Sequence, residues 1–520
     1  MLAGTGSDVG KSVLAAAFCR ILLQDGYRPA PFKAQNMALN SFATPEGLEI
    51  GRAQAVQAEA AGIPCHVDMN PLLLKPQSDH TSQVVLLGRP VGNSDAYTYW
   101  KKTDYRDVVC AAFDRLAARY SPIVMEGAGS ISELNLRDTD IVNMPMARYA
   151  KARVILVADI DRGGVFASVY GSIALQTPED RRLIRGIIIN KFRGDLRLFD
   201  EGRRMLEDIC QVPVLGVVPY FKDIHIEEED SVDLEQKSRQ MATDRRVNIA
   251  VVLLRHLSNF TDFNALEHDP RVHLFYTSNT DDLRRADIIV LPGSKATLSD
   301  LLELRRNGCA EAIVRAHRDG TTVLGICGGY QLMGSEVIDP DHVEGSIERL
   351  PGLGLLPTTT IMSGEKLTRQ VAFSIAPLSQ GAPAEPSEFS EPSEPPEPSK
   401  SSEPSESSKQ QQRCCHGYEI HNGRTIPLPS APAAPLCLIS DGRTDGYYKS
   451  PHCMGTYIHG ILDNPTFVDF LLRPFAERLS EPTRPFDYQA YKEQQYDLLA
   501  DHVRKHIDMT RFYQILNSND

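Results

Sequence analysis

The sequence predicts an α/β protein of two domains, each built on a mostly parallel, doubly wound sheet. Three observations carry that expectation. Short apolar runs alternate with helical patterns along most of the chain, which is the rhythm of strand–helix units. A glycine-rich loop, Gly4-Thr-Gly-Ser-Asp-Val-Gly-Lys-Ser12, opens a helical stretch directly after a few strand-like residues. A second glycine-rich turn, Gly325-Ile-Cys-Gly-Gly-Tyr-Gln331, joins the apolar run Thr322–Leu324 to another helical stretch and carries a cysteine at its tip.

The first loop has the composition of a phosphate cradle. Thr5, Gly6, Ser7, Asp8, Val9 and Gly10 bring backbone N–H groups to a helix N-terminus, where the dipole adds to the attraction for an anion. Lys11 then reaches the β/γ-phosphates of a nucleotide, and the Ser12 hydroxyl binds its Mg²⁺. The apolar pattern Val13, Leu14, Ala17, Ile21 and Leu22 continues as a helix. Five residues separate Gly4 from Gly10, one more than in the usual P-loop, and this longer form resembles the dethiobiotin synthetase group. The strand before the loop has room for about three residues and is expected at a sheet edge.

The alternation continues with a short strand at Ala30–Phe32, a helix over Ile50–Ala61, a strand-like run Val84–Leu87 and a helix over Tyr105–Tyr120. Ile123–Met125 is a strand ending in Glu126-Gly-Ala-Gly-Ser130, and Arg153–Asp159, Gly186–Asn190 and Val214–Val218 are further apolar strands. Sheets of this kind bind ligands at the carboxyl ends of their strands. The P-loop, Glu126, Asp159 and Asn190 fall at such ends. Glu126 is the candidate partner of Ser12 for Mg²⁺, with a helix-capping carboxylate as the competing reading. Asp138 and Asp140 are candidates for metal binding or substrate positioning, with a turn or cap role as the alternative. Asp159 and Asp161, in Asp159-Ile-Asp-Arg-Gly-Gly164, have a similar site-like setting, and Asn190 is a candidate for contact with the nucleotide base.

Residues 1–225 therefore read as a nucleotide-binding domain. The stretch 226–246 is acidic, then of mixed charge, and reads as a linker. Residues 247–475 read as a second α/β domain, followed by a helical segment at 476–520. Within the second domain, 379–413 is almost entirely Ser, Glu, Pro and Gln, and is expected to be a disordered insertion in a surface loop.

The second glycine-rich turn reads as a nucleophile elbow. A sharp strand–helix turn has no room for side chains and lifts the Cys327 sulfur above the sheet, facing a helix N-terminus that favours the reactive thiolate. The Gly328 N–H faces an oxyanion, and the turn at Gly293 in Leu291-Pro-Gly-Ser294 offers a second donor. A cysteine nucleophile needs a base. His459, in Gly455-Thr-Tyr-Ile-His-Gly460, ends a short strand and is the candidate.

Composition narrows the partners. Hydrophobic residues make up 42 % and charged residues 24 % of 520, enough for ordinary globular cores. The net charge of −13 argues against nucleic acid or an anionic membrane as partner. No apolar run is long enough to span a bilayer, and the first residues carry no basic region or signal core. Ten cysteines are scattered without metal-ligand spacing, as expected of a reduced, cytoplasmic chain.

Further stretches carry a family resemblance. Pro31-Phe-Lys-Ala-Gln-Asn-Met-Ala-Leu-Asn-Ser41, Asn70-Pro-Leu-Leu-Leu-Lys-Pro76, Val157–Phe166, Ile189–Asp195 and His256-Leu-Ser-Asn-Phe-Thr-Asp-Phe-Asn264, together with both glycine-rich turns, Gly417-Tyr-Glu-Ile-His421 and the His459 motif, resemble the cobyric acid synthases. The resemblance implies a dethiobiotin-synthetase-like domain fused to a class I glutaminase domain. It implies amidation of four carboxylates of adenosylcobyrinic acid a,c-diamide, using ATP, Mg²⁺ and glutamine or ammonia, with small molecules as substrates. One departure from many class I glutaminases is Ile461, which stands two residues after the histidine where a glutamate usually orients it. Two alternatives are a synthase acting on cobyrinic acid at two carboxylates, and a regulatory or partitioning ATPase with a defunct glutaminase half.

Overall fold

The computed structural model describes residues 1–76, 81–95, 105–227, 238–244, 246–377, 414–432, 434–479 and 485–518. The expected insertion at 379–413 and the linker residues 228–237 lie outside the described residues.

The strands of the first domain are β1 (Leu2–Gly4), β2 (Ala30–Phe32), β3 (Ile123–Met125), β4 (Val154–Asp159), β5 (Ile184–Phe192) and β6 (Val214–Pro219). β1, β4, β5 and β6 pair in parallel in that order, and β2 pairs in parallel with β3. A parallel bridge between Leu2 and Glu126 joins the two sets, giving the order β2-β3-β1-β4-β5-β6. The three-residue β1 is thus interior, not the edge strand expected from its length. β4 hydrogen-bonds it on one side, and the Gly127 N–H donates to Leu2 O at 2.8 Å on the other. Every residue of β4 is buried, as in a sheet covered on both faces.

Helix α1 (Lys11–Gln24) follows the glycine-rich loop, with Gly10 as its left-handed N-cap at φ +93°. Val84–Leu87 lies outside this parallel sheet. Thr81–Leu86 and Arg89–Asp95 form a hairpin that pairs on through Leu72–Pro76 to Gln35–Met37. Its tip, Leu87–Gly88, has φ of +45° and +77°, a two-residue turn whose twist suits an antiparallel pair.

The second domain contains β7 (Val247–Val252), β8 (Val272–Thr277), β9 (Ile288–Leu291), β10 (Thr322–Ile326), β11 (Thr358–Ile375), β12 (Cys415–Pro427), β13 (Tyr447–Ser450) and β14 (Cys453–Thr456). Its central sheet has the order β8-β7-β9-β10-β14-β13, parallel except for the β13–β14 pair. Helix α2 (Gly328–Met333) follows β10. The long strands β11 and β12 pair with each other, and β12 crosses the end of the central sheet, where Tyr418 and His459 exchange backbone hydrogen bonds of 2.8 and 3.1 Å.

The chain then returns to the first domain. Helices α3 (Tyr488–His506) and α4 (Met509–Asn517) cover α1: Phe512 stacks on Phe18 at 4.7 Å, and Arg20 pairs with Asp497 at 2.7 Å. In the other direction, the hairpin Ser41–Ala43/Glu49–Gly51 reaches from the first domain onto β11 and β12. Gln370 donates to Ala43 O at 3.0 Å, Phe42 meets the Tyr418 ring at 4.6 Å, and buried Glu49 pairs with Lys75 and Lys366.

Candidate active sites

The phosphate loop and Glu126 form one site. The Ser12 hydroxyl donates to Glu126 Oε1 at 2.8 Å, Lys33 pairs with the same oxygen at 2.7 Å, and Gln57 donates to Oε2 at 2.7 Å. Burial pushes the Glu126 carboxyl up, but the Lys33 ammonium and the donors Gln57 and Ser12 outweigh it and hold it below the usual carboxylate range. It is a buried anion at the end of β3, at 2 % exposure. Lys11 is held in the loop by Gly6 O at 2.8 Å and Gly129 O at 3.0 Å. Asn190 donates to Val9 O at 2.9 Å and so braces the loop from β5. Lys33 and Gln57 carry no motif of their own and were not singled out in the sequence. Their only signal was the resemblance stretch that contains Lys33.

The four candidate aspartates separate. Asp159 and Asp161 line the cleft beside the loop. Asp159 accepts the Asp161 N–H at 2.7 Å and lies 3.3 Å from Lys191, while Asp161 pairs with Arg193 at 2.7 Å. Asp140 accepts the backbone N–H groups of Val142 and Asn143 at 2.7 and 3.0 Å, a turn that leads into the helix Met144–Tyr149. Asp138 is exposed on the same loop, and neither it nor Asp140 is among the residues lining the cleft. The Asp140 carboxylate is thus engaged by the turn.

The second site is built around Cys327. Its φ of +53° and ψ of −112° make it the strained residue of a nucleophile elbow. The glycines beside it serve close approach, not positive φ. A Cβ on Gly329 would lie 1.9 Å from Leu291 O, and one on Gly328 would lie 2.7 Å from the Ser294 nitrogen. The turn at Gly293 packs next to His459, since a Cβ on Gly293 would lie 3.6 Å from His459 Cε1.

The orienting acid missing at Ile461 is supplied from elsewhere. His459 Nδ1 lies 2.7 Å from Asp262 Oδ2, and the Gly460 N–H donates to Asp262 Oδ1 at 3.1 Å. Asp262 sits in a 3₁₀ turn, Phe260–Phe263, within a stretch that the sequence marked without a role. The charge of Cys327 acts on the His459 imidazole together with that of Asp262, which groups Cys327, His459 and Asp262 as a candidate triad. Burial works against charge on the imidazole, but Asp262 and Cys327 outweigh it and push it up to about 10. The two neighbouring charges thus favour the imidazolium form of His459.

Two expectations follow from this geometry. Asp262→Asn should lower glutamate release from glutamine by about 10³-fold, because the amide neither stabilises the imidazolium nor fixes its tautomer. A loss of less than tenfold would remove Asp262 from the triad. Glutamate release should also decline as pH rises through about 10, where the imidazolium loses its proton. The same proton stabilises the fold: that contribution is full below the ordinary imidazole value of 6.5 and disappears as pH rises to about 10. Rates and denaturation midpoints taken between pH 7 and pH 11 check both, and a basic limb below pH 8 would contradict the assignment.

The phosphate site opens toward a cleft of about 1410 Å³ between the domains. Its wall runs from Lys11, Ser12, Lys33 and Glu126 to Phe260 and Asn264, on either side of Asp262 in the chain.

Fold and site define a two-domain glutamine amidotransferase whose other half binds a nucleotide. Residues 1–232 match the CobQ/CobB/MinD/ParA nucleotide binding domain, and residues 248–467 match the CobB/CobQ-like glutamine amidotransferase domain. The chain is 67 % identical to a cobyric acid synthase of Bacteroides fragilis, across all of this chain and 98 % of that one. It is 54 % identical to the cobyric acid synthase of Parabacteroides distasonis and 46 % identical to that of Citrobacter koseri, with the same coverage. The chain belongs to the cobyric acid synthase family. Among the described residues, no helix is long and apolar enough to cross a membrane.

Proposed function

We propose that this enzyme amidates the b, d, e and g carboxylates of adenosylcobyrinic acid a,c-diamide, consuming ATP and glutamine, to give adenosylcobyric acid. One observation carries the reading: a Cys-His-Asp triad and a P-loop site share a chain whose whole length matches cobyric acid synthases.

At the triad, the Cys327 sulfur attacks the glutamine side-chain carbonyl, and the proton now on His459 goes to the departing nitrogen. Ammonia leaves and a γ-glutamyl thioester remains. Water, deprotonated by His459, then releases glutamate and restores the thiol. The Gly328 N–H at the start of α2 and the backbone turn at Gly293 are the candidate oxyanion donors, which fits their packing against Ser294 and His459.

At the P-loop, backbone N–H groups of Thr5–Gly10, with Lys11, position the ATP phosphates for in-line attack by a substrate carboxylate. Attack of the carboxylate oxygen on the γ-phosphorus expels ADP and gives an acyl phosphate, from which ammonia displaces phosphate. Ser12 Oγ and Glu126 Oε1 are two hard oxygen donors 2.8 Å apart, a set that fits an ion holding its other positions with water and phosphate oxygens. Mg²⁺ bound there would neutralise charge on the β- and γ-phosphates. Asn190, beside the loop, is a candidate for the base, and Asp159 and Asp161, which line the cleft, are candidates for substrate positioning.

The test is mass spectrometry of adenosylcobyrinic acid a,c-diamide after incubation with enzyme, Mg²⁺-ATP and amide-¹⁵N glutamine. Four labelled amides are expected. In a parallel incubation with cobyrinic acid, two labelled amides there and none on the diamide would point to the diamide synthase reaction. ATP hydrolysis with no labelled product would point to the regulatory ATPase.

A further inference from the structure

Two stretches that the sequence marked without a role, Pro31–Ser41 and His256–Asn264, meet in space. The first begins at the phosphate site, where Lys33 pairs with Glu126 at 2.7 Å. It ends at the triad, where the Ser41 N–H donates to Asn259 Oδ1 at 3.3 Å. Asn259 Nδ2 lies 3.2 Å from His459 Nε2 and 3.4 Å from Nδ1. Near-equal distances to both ring nitrogens place the amide over the face of the imidazole, since an atom in the ring plane that close to both would collide with ring carbons. The next residue, Phe42, packs on Tyr418 at 4.6 Å, and Tyr418 stacks on His459 at 5.2 Å with 21° between the planes. Successive residues of the nucleotide-binding domain therefore hold two of the groups that pack on the triad imidazole.

We propose that the segment Lys33–Phe42 makes glutamine hydrolysis depend on occupancy of the nucleotide site, and that Asn259 is the positioning residue through which it acts on His459. The proposal rests on the amidoligase reading above. Three observations support it. The segment is tied along its length: Asn70 donates to Lys33 O at 3.1 Å, the Ala38 N–H donates to Leu74 O at 3.0 Å, and Ser41 Oγ donates to Glu49 at 2.7 Å. A strand held this way transmits a shift at one end to the other. The Lys33–Glu126 pair is also poised to rearrange, because incoming phosphates attract Lys33 and a cation attracts Glu126. Finally, Cys327 is 8 % exposed and His459 0 %, so glutamine reaches the sulfur only when a covering segment moves. The hairpin that begins at Ser41 packs through Phe42 on Tyr418 of β12, the strand whose Ile420 O lies 3.6 Å from the Cys327 sulfur, and is the candidate for that movement and for the two-state element that coupling between sites requires.

The test uses the full chain and measures glutamate release with and without Mg²⁺-ATP plus the corrinoid diamide. The unsubstituted enzyme should be stimulated about tenfold, within the usual range of coupling between sites. Asn259→Gly keeps the left-handed backbone at φ +54° and removes the amide. Its stimulation should fall below about twofold, as the two sites are then uncoupled. Asn259→Asp keeps the shape and the oxygen that accepts from Ser41 but faces His459 with an oxygen in place of the amide nitrogen, so its stimulation should fall as well, whereas a role in packing alone would leave this isosteric variant stimulated. Amidation with free ammonium should stay within about twofold in both variants, because that reaction bypasses the coupling. The proposal is overturned if Asn259→Gly is stimulated like the unsubstituted enzyme, if that enzyme hydrolyses glutamine equally in both conditions, or if ammonium-dependent amidation is lost with the amide. Glutamate release that is absent under every condition would instead overturn the amidoligase reading, and the coupling with it.

Discussion

Replacing Cys327 by serine should lower glutamine-dependent amidation by about 10⁴-fold or more, the scale seen when a triad nucleophile is removed. Amidation supported by free ammonium should persist at close to its original rate. The substitution is nearly isosteric, and serine tolerates the elbow conformation as cysteine does, so the strained turn at φ +53° remains. What is lost is the chemistry of the sulfur. A serine hydroxyl is far less acidic than a thiol, so almost none of it is the nucleophilic anion at neutral pH. The ammonium-dependent reaction survives because Lys11, Ser12, Lys33 and Glu126 make their contacts without Cys327. Glutamate release and amide formation, measured with each nitrogen source, separate the two outcomes. A matching loss with ammonium would mean that the sites are not separable and that the division of labour between the domains is wrong.

The two sites were legible to different depths, and the reason is distance along the chain. The P-loop and the elbow are local devices: a glycine-rich turn, a reactive side chain and a helix start lie within a dozen residues of each other. Asp262 was not legible as a triad member. It lies 197 residues before His459, on a 3₁₀ turn that reaches the imidazole only once β7 and β14 have taken their places in one sheet. The familiar position for an orienting acid, two residues after the histidine, holds Ile461, which is fully buried in the core. Lys33 and Gln57 escaped notice similarly, since each meets Glu126 across more than sixty residues. Asp140 shows the converse problem. An acidic cluster beside a glycine turn has the composition of a site, yet its carboxylate is used locally, on two backbone N–H groups. The elbow glycines were recognised for their type, but the space they leave for Leu291 and Ser294 belongs to neighbouring strands and turns, and only the assembled sheet reveals it.

Lys11→Ala should abolish amide formation from glutamine and from ammonium alike, by about 10³-fold or more, the scale of removing a preorganised charge from a developing anion. The side chain lies folded along the loop, with its ammonium between Gly6 O and Gly129 O and at 7 % exposure. It is thus fixed where phosphate oxygens would arrive, and little ordering is left to complete on binding. Arginine is a poor substitute, because a Cβ on Gly4 would already lie 2.7 Å from the lysine nitrogen, so a wider head group has no space. The triad remains intact in this variant, so slow glutamate release should continue. Its stimulation by Mg²⁺-ATP should disappear, because the charge that draws on Lys33 and Glu126 no longer settles in the loop. Paired assays of amide formation and glutamate release therefore test the phosphate site and its link to the triad together. Ammonium-dependent amidation above a tenth of the original rate would show that carboxylate activation does not occur at this loop. Unchanged stimulation of glutamate release would show that the nucleotide acts on the triad by a route other than the Lys33–Ser41 strand.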